Sequence, residues 1–356
     1  MIRVVELTIE DMSRWYEAEG LSLAHHKTEA ILLTGRKVAG GLTFKCGGAD
    51  IKTARAARYL GLIVEMNRGF RVHVETACSK ALKYANTLAW LMPNLGGAGN
   101  LARRLYYKVV ESVILYAAPL WASGLEVRLN VQLLTSTQRT ALLRVAQAYR
   151  TASADALCVI TGQVPIDLLV RERERIFYKR REAGLLTVEG VASIKKEARA
   201  ATLEAWQSRW AASNKGRWTF ALIPRITDWI RWGPRHLNFH ITQVMTGHGC
   251  FGTYLQKIRR QNHSECWFCP GMSDSPEHFL FHCKRWGVER TSLHAELGVS
   301  LKADNFIDLL RNNTRRDRVT EFVVNAMKEK EAHERTLERE EREAREGGRS
   351  SINTGT

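Results

Sequence analysis

The sequence has few structure-breaking residues and no long uninterrupted apolar run. Only 7 of its 356 residues are proline, while 45% are apolar, so the chain can bury a sizeable core and we expect two or more domains. The most apolar stretch, residues 109–125, is short for a membrane span and contains Glu111 and Ser112, which favours a buried helix. The opening residues lack the basic, apolar and small-residue segments of a signal peptide. Disordered, membrane-spanning and secreted classes are therefore not expected.

Cysteine is too scarce and too irregularly spaced for a disulfide framework. There are seven cysteines, an odd number, and four of them, Cys46, Cys78, Cys158 and Cys250, are scattered along the chain. This usage predicts the reduced thiols of an intracellular protein.

The other three cysteines form, with one histidine, the pattern Cys266-x2-Cys269-x8-His278-x4-Cys283. Three sulfurs and one imidazole suit tetrahedral zinc, and four protein ligands leave no position open for water. The spacing therefore predicts a structural Zn²⁺ site rather than a hydrolytic one. Two alternatives remain: buried reduced cysteines without a metal, and a ligand set in which His282 replaces His278. The second is disfavoured because His282 adjoins Cys283, and adjacent side chains diverge.

Acidic residues are fewer than basic residues in this sequence. Lysine and arginine total 53 against 37 aspartates and glutamates, which gives a net charge of +16. The excess lies outside the tail at 328–349, where acidic and basic residues nearly balance. A positive field of this size predicts polyanionic nucleic acid as the partner, with ordinary solubility charge as the alternative.

Hydrophobic periodicity predicts an α+β protein that is predominantly α-helical. Near the N-terminus we expect a strand at 30–33 and a hairpin whose arms, 59–64 and 70–74, flank a turn at 67–69. The predicted helices are 6–19, 76–91, 101–121, 131–149 and 306–327. A predicted linker at 184–191 precedes tryptophans that serve either as core anchors or as surfaces for base stacking. These are Trp206, Trp210, Trp218, Trp229 and Trp232.

Several blocks of the sequence resemble the downstream half of the reverse transcriptase, or Pol, proteins of arthropod non-LTR retrotransposons of the type-1 class. They cover roughly residues 21–330 and include HKTEAILLTGRK, RYLGLIV, MPNLGGAG, RRLYYKVVESVILYAAPLWA, QRTALLRVAQAYRTASADAL, TGQVPIDLL, GRWTFALIP, QVMTGHGCFGTYL and the CCHC set. The resemblance implies a nuclear protein of target-primed reverse transcription, an RNA-directed DNA polymerase reaction. Its implied partners are template RNA and a target-DNA primer, with no membrane.

The resemblance also implies a division of the chain. Residues 1–75 would be the end of the polymerase palm with a primer-grip-like hairpin, and 76–183 a helical thumb. Residues 184–255 would be a helical connector, 256–300 a CCHC zinc knuckle, and 301–356 a C-terminal helix with a charged, disordered tail. The upstream palm, fingers and endonuclease domains would belong to the full-length protein.

Individual roles follow from the same resemblance. Lys27 would lie near the incoming nucleotide as a proton donor for pyrophosphate release, although an exposed lysine without that role is an equal alternative. Tyr59, Leu60 and Gly61 would belong to the primer grip. Arginines of the thumb would be phosphate ligands. These are Arg103, Arg104, Arg139, Arg144 and Arg150.

One departure from the family affects catalysis. Template-directed polymerisation needs two Mg²⁺ ions held by clustered aspartates, which the family carries in an aromatic-Ala-Asp-Asp turn. This sequence contains no Asp-Asp pair, and Glu10-Asp11 lies in a predicted helix without the aromatic hairpin context. We therefore expect Mg²⁺ only in the full-length polymerase, no catalytic residues here, and an inactive isolated chain. The alternative function is a non-enzymatic, zinc-stabilised nucleic-acid-binding or interaction protein derived from such an element.

Overall fold

The computed structural model describes residues 2–34, 41–185, 187–231 and 236–350. Helices dominate it and the strands are few and short, which confirms the predicted α+β, predominantly α-helical class. The helices are α1 Ile2–Ala18, α2 Arg71–Ala89, α3 Asn100–Ile114, α4 Ala118–Trp121, α5 Arg128–Ala146, α6 Ala154–Thr161, α7 Ile166–Glu182, α8 Val188–Ala212, α9 Arg217–Leu222, α10 Ile226–Ile230, α11 Phe239–Thr246, α12 Gly252–Lys257, α13 Gly287–Leu297, α14 Phe306–Arg311 and α15 Asn313–Ser350.

The described strands pair as three antiparallel hairpins. They are β1 Thr43–Cys46 with β2 Ala49–Lys52, β3 Ala56–Tyr59 with β4 Leu62–Glu65, and β5 Glu265–Cys266 with β6 Cys269–Ser273. Short 3₁₀ turns occur at His25–Lys27, Ala122–Glu126 and Lys284–Trp286, and a π-type turn at His278–His282.

The predicted N-terminal β region is only partly present. The predicted strand at 30–33 is wrong, since that segment makes a single parallel bridge, from Ile31 to Ala54. The predicted hairpin of 59–64 with 70–74 is also wrong. A different hairpin, β3 with β4, lies here, and its turn is at Leu60 and Gly61, both of which have positive φ (47° and 83°), as a two-residue hairpin turn requires. The Tyr116 hydroxyl fixes this turn by donating to the Leu60 carbonyl at 2.8 Å.

The second predicted arm, 70–74, is instead the start of α2. Val74, Cys78, Ala81 and Ala85 are buried at helical spacing on one face of α2. Burial of that continuous face outweighs the local β propensity of the valines. The prediction of a hairpin arm there was therefore wrong.

The tryptophans predicted as core anchors or stacking surfaces are largely in the core. Trp206, Trp210 and Trp229 are at most 2% exposed. Two of their indole N–H groups donate to backbone carbonyls, Trp210 to Ile223 at 2.8 Å and Trp229 to Ile160 at 2.9 Å. These three are structural anchors. Trp218 is half-buried, and Trp232 lies outside the described residues.

One hydrophobic cluster extends from Leu62 to Met327 and includes buried side chains of the helical region, the zinc-pattern cysteines and α15. The predicted boundaries of the five segments remain predictions. None of the helices in the described ranges is long and apolar enough to cross a bilayer.

The predicted helix at 306–327 is interrupted once, and its second part continues into the charged tail. Instead of one helix at 306–327, α14 ends at Arg311 and α15 begins at Asn313 and continues to Ser350. Residues at i, i+3 and i+4 on α15 are buried against α11, α13 and α14. They are Val319, Phe322, Val323, Ala326 and Met327.

Candidate metal centre

The β5–β6 hairpin and the turn after it bring three cysteines and one histidine together. Cys266 pairs in register with Cys269 across the hairpin, and Cys283 directly follows the π-type turn that begins at His278. The Cys283 sulfur lies 3.8 Å from the sulfurs of both Cys266 and Cys269. All four side chains are buried, and their ligand atoms lie within 4.8 Å of one another.

The two candidate histidines differ in position. His278 is 5% exposed and neither of its ring nitrogens has a hydrogen-bond partner among the described atoms. His282 is exposed and lies outside the cluster. A buried imidazole without partners is costly unless a ligand satisfies it, so the geometry favours His278 over His282.

The spacing of the sulfur atoms fits a tetrahedral ion. With metal–sulfur bonds of about 2.3 Å, as for zinc, two sulfurs of a tetrahedron are separated by about 3.8 Å. This is the separation between Cys283 and the other two sulfurs. The four residues are therefore placed so that they could hold one metal ion.

The thiols of the cluster are strongly coupled. The contact with the Cys283 thiol is the main cause that lowers the pKa of Cys266 below its ordinary value, and the Phe268 backbone N–H and the neighbouring His278 add to this. The same contact with Cys266 raises the pKa of Cys283, and burial adds to this. The Lys284 backbone N–H donates to the Cys269 sulfur at 3.3 Å. The cluster thus already favours a thiolate, the form that binds a metal.

A buried arginine supports the ligand turn. The Arg290 guanidinium donates to the carbonyls of Leu280 and Cys283, both at 2.9 Å, and to that of Phe279 at 3.3 Å. Arg290 thereby satisfies carbonyls within and directly after the turn that presents His278 and Cys283.

A buried ion pair joins the metal centre to α15. The Lys330 ammonium lies 2.7 Å from the Asp274 carboxylate, and the two side chains are 0% and 3% exposed. Asp274 also accepts the Gly252 backbone N–H at 2.7 Å. Lys330 lies 4.7 Å from the ring centre of Trp267, a residue between the first two cysteines. Sequence patterns gave no signal for this pair, because Lys330 belongs to a run of alternating charges.

The proposed primer-grip and nucleotide residues are accessible. Tyr59 and Leu60 are 70% and 76% exposed on the β3–β4 hairpin, next to Gly61. Lys27 is exposed in a 3₁₀ turn. These positions are compatible with contact to a ligand, but their predicted roles stay predictions.

Arg103 has a structural position that conflicts with its prediction as a phosphate ligand. It is 1% exposed, and its guanidinium donates to the carbonyls of Ala98 at 2.7 Å, Arg144 at 2.6 Å, Met92 at 3.3 Å and Pro93. Its charge serves to cap buried carbonyls, so Arg103 is not available to phosphate.

The other four arginines are more accessible. Arg104 is half-buried, whereas Arg144 and Arg150 are exposed. Arg139 is half-buried and donates to the carbonyls of Ala152, at 2.9 Å, and Arg150.

The buried cluster of three cysteines and a histidine could hold a metal ion. The relatives of the chain agree with the resemblance found in its motifs. It is 25% identical over 358 residues to a retrovirus-related Pol polyprotein from type-1 retrotransposable element R1 2 of Nasonia vitripennis, covering 94% of this chain and 86% of the relative. It is 28% identical over 280 residues to that of element R1 4 of the same wasp, covering 74% and 69%.

A third relative, the Pol polyprotein from element R1 of Bradysia coprophila, is 26% identical over 76% of this chain, which spans 28% of that protein. No family model and no solved structure matches the chain. The chain is homologous to the Pol polyproteins of insect type-1 retrotransposable elements, and the suspected family relationship is confirmed.

Proposed function

We propose that this chain is the nucleic-acid-holding part of a non-LTR retrotransposon reverse transcriptase that acts in target-primed reverse transcription. The observation that carries the proposal is the Cys₃His cluster in a chain that aligns along 94% of its length with a retrotransposon Pol polyprotein. The net charge of +16 supports nucleic acid as the ligand.

The metal of the cluster is proposed to be Zn²⁺ in a structural role. Cys266, Cys269, His278 and Cys283 would supply all four ligands, and sulfur-rich tetrahedral sites select zinc over magnesium or calcium. The ion would hold the β5–β6 hairpin against the turn at His278–His282, because the two cysteines of the hairpin and the His278/Cys283 pair would bind the same ion.

Binding of nucleic acid should be strong at low salt and weak in sequence preference. Phosphate contacts release counterions, so we expect the logarithm of the association constant to fall with the logarithm of salt concentration at a slope steeper than about −2, equivalent to about three phosphates of a single strand. Fluorescence anisotropy with labelled RNA and DNA oligonucleotides measures it. An uncharged methylphosphonate oligonucleotide of the same sequence is the matched control. A slope near zero for the charged strand would refute nucleic-acid holding by electrostatic contact.

We propose that polymerisation requires catalytic residues that this chain does not supply. Two-metal polymerisation needs clustered aspartates, and Glu10 and Asp11 are exposed on α1, where Asp11 pairs with Arg14. We expect the purified chain to extend no primer on RNA or DNA template with Mg²⁺, although it binds the same primer–template. Gel analysis of labelled primer, with a known polymerase as positive control, measures this. Mg²⁺-dependent extension that co-purifies with the chain would contradict the proposal.

A further inference from the structure

A cavity of about 870 Å³ lies where several helical segments meet. Its walls come from α5, the connection into α6, the loop between α8 and α9, the end of α11, and α12. It is separate from the four metal-cluster residues, none of which lines it.

Four cationic side chains from three separate parts of the chain line this cavity. They are Arg139, Lys215, Arg217 and Lys257. Among the residues that line it, Asp155 supplies the only carboxylate. Within the described ranges, none of the four cations forms an ion pair. Even with the charge of Asp155, the described lining of the cavity therefore has an excess of positive charge.

A second cavity differs in that two of its arginines are paired with carboxylates. It has about 690 Å³ and contains Arg199 and Arg311. There, however, Arg199 pairs with Glu172 at 3.1 Å, and Arg311 with Asp308 at 2.9 Å. Uncompensated cations in a concave site, by contrast, attract anions.

Two of the cations are held in place by the protein. The Arg139 guanidinium donates to the Ala152 and Arg150 carbonyls, and its remaining N–H groups have no acceptor among the described residues. Arg217 lies 3.9 Å from the ring centre of Phe220 and donates to the Ser213 carbonyl at 2.9 Å. Because their side chains are already ordered, these arginines lose less entropy when they bind an anion.

The loop that carries Lys215 and Arg217 reaches the cavity through a glycine. Gly216 has φ +65°, and a Cβ atom there would lie 3.0 Å from the Ala156 side chain. The loop therefore approaches the first turn of α6 more closely than any other residue would allow. That first turn, capped by the Ser153 hydroxyl, adds backbone N–H groups and a positive helix end to the same wall.

We propose that this cavity binds backbone phosphates of an unpaired nucleic-acid strand. This inference rests on the proposed function and assigns part of the nucleic-acid contact to this cavity. A duplex is too broad to enter a cavity of this volume, whereas single nucleotides fit. Half-buried Trp218 and His248, the latter 4.8 Å from the Tyr254 ring centre, give an aromatic wall on which a base can stack.

The test compares two double variants with equal loss of charge. Lys215→Gln/Lys257→Gln removes two exposed cations of the cavity, and Lys195→Gln/Lys196→Gln removes two exposed cations of α8 away from it. For a single-stranded oligonucleotide, the cavity variant should reduce the salt slope by about 1.4, at about 0.7 per phosphate. If the two salt plots meet near 1 M, this is about a 25-fold loss of affinity at 0.1 M. The α8 variant should keep the wild-type slope.

A third variant should increase the affinity for the single strand. Asp155→Asn removes the cavity carboxylate, while the amide oxygen can still accept the Ser213 hydroxyl that Asp155 accepts at 2.7 Å. Affinity for the single strand should rise about threefold, the effect of removing a unit charge ~6 Å from a phosphate in water.

The outcomes separate this inference from the proposed function. If the wild type binds with a steep salt slope but the cavity and α8 variants behave alike, the cavity assignment is wrong and the proposed function stands. If duplex loses as much affinity as single strand in the cavity variant, the assignment to an unpaired strand is wrong. A wild-type chain that binds no nucleic acid overturns both. Unchanged far-UV circular dichroism establishes that each variant is folded.

Discussion

Replacing Cys283 with serine should reduce bound zinc from about one ion per chain to near zero. The Cys283 sulfur lies 3.8 Å from both other sulfurs, so the substitution removes the ligand that is close to both of them. Structural zinc in finger peptides contributes an apparent ~10–16 kcal/mol at pH 7, because binding and folding are one process. We therefore expect the β5–β6 hairpin and the His278–His282 turn to lose their fixed structure. Elemental analysis of purified protein and amide hydrogen exchange of this segment measure the two effects.

Two pairs of matched variants control this prediction. Cys158→Ser alters a cysteine that is equally buried but lies in α6, outside the cluster, and should retain zinc. His278→Ala should lose zinc, whereas His282→Ala, at the exposed histidine four residues later, should retain it. Full zinc occupancy in both Cys283→Ser and His278→Ala would exclude the site. Zinc loss in His282→Ala alone would instead select the alternative ligand set.

Replacing Lys330 with methionine should lower the free energy of unfolding by about 3–5 kcal/mol. Methionine fills similar space, but it leaves the Asp274 carboxylate buried at 3% exposure without its cation. Burial already raises the Asp274 pKa, and Lys330 opposes that rise, so the variant loses the group that keeps this carboxylate charged. Urea denaturation with zinc present throughout measures the change.

An exposed ion pair on the same helix is the matched control. Arg260 lies 2.6 Å from Glu338 of α15, and both side chains are about half exposed. Arg260→Met should cost about 1 kcal/mol or less, since solvent screens such pairs. The double variant Lys330→Met/Asp274→Asn should recover part of the loss, because a neutral amide can still accept the Gly252 N–H. Equal effects of Lys330→Met and Arg260→Met would show that the buried pair contributes little.

The metal cluster could be predicted from sequence because its information is local. Cys266 and Cys283 are 17 positions apart, and ligand type and spacing together specify the chemistry. Lys330 could not be found in this way. Its partner lies 56 positions away, and nothing in an alternating charged run distinguishes the one lysine that becomes buried.

Arg103 and Arg104 show a second limit of sequence reasoning. They are adjacent on α3, and successive helical residues point about 100° apart, so one faces the core and the other is half-buried. In the sequence, the two adjacent arginines are equally good candidates for phosphate ligands. Only the carbonyls of Ala98, Arg144 and Met92, brought together by packing, reveal that Arg103 is a structural residue.

The N-terminal β region was mispredicted for a related reason. Residues 70–74 contain valines at alternate positions, which is a strand pattern over so short a window. The helical face of α2 becomes recognisable only when Cys78, Ala81 and Ala85 are included. Small apolar residues give weak hydrophobic signals, although in the fold they allow helices to approach closely.

The buried pair of Asp274 and Lys330 also has a consequence for synthesis of the chain. A ribosome makes the segment containing Asp274 before it adds the 56 residues that end at Lys330. At ~5–20 residues per second, the carboxylate waits about 3–11 s for its cation. During this interval the β5–β6 hairpin can be present while α15 is still incomplete. We therefore expect Asp274 to stay hydrated until Lys330 has been synthesised, because its partner is absent before then.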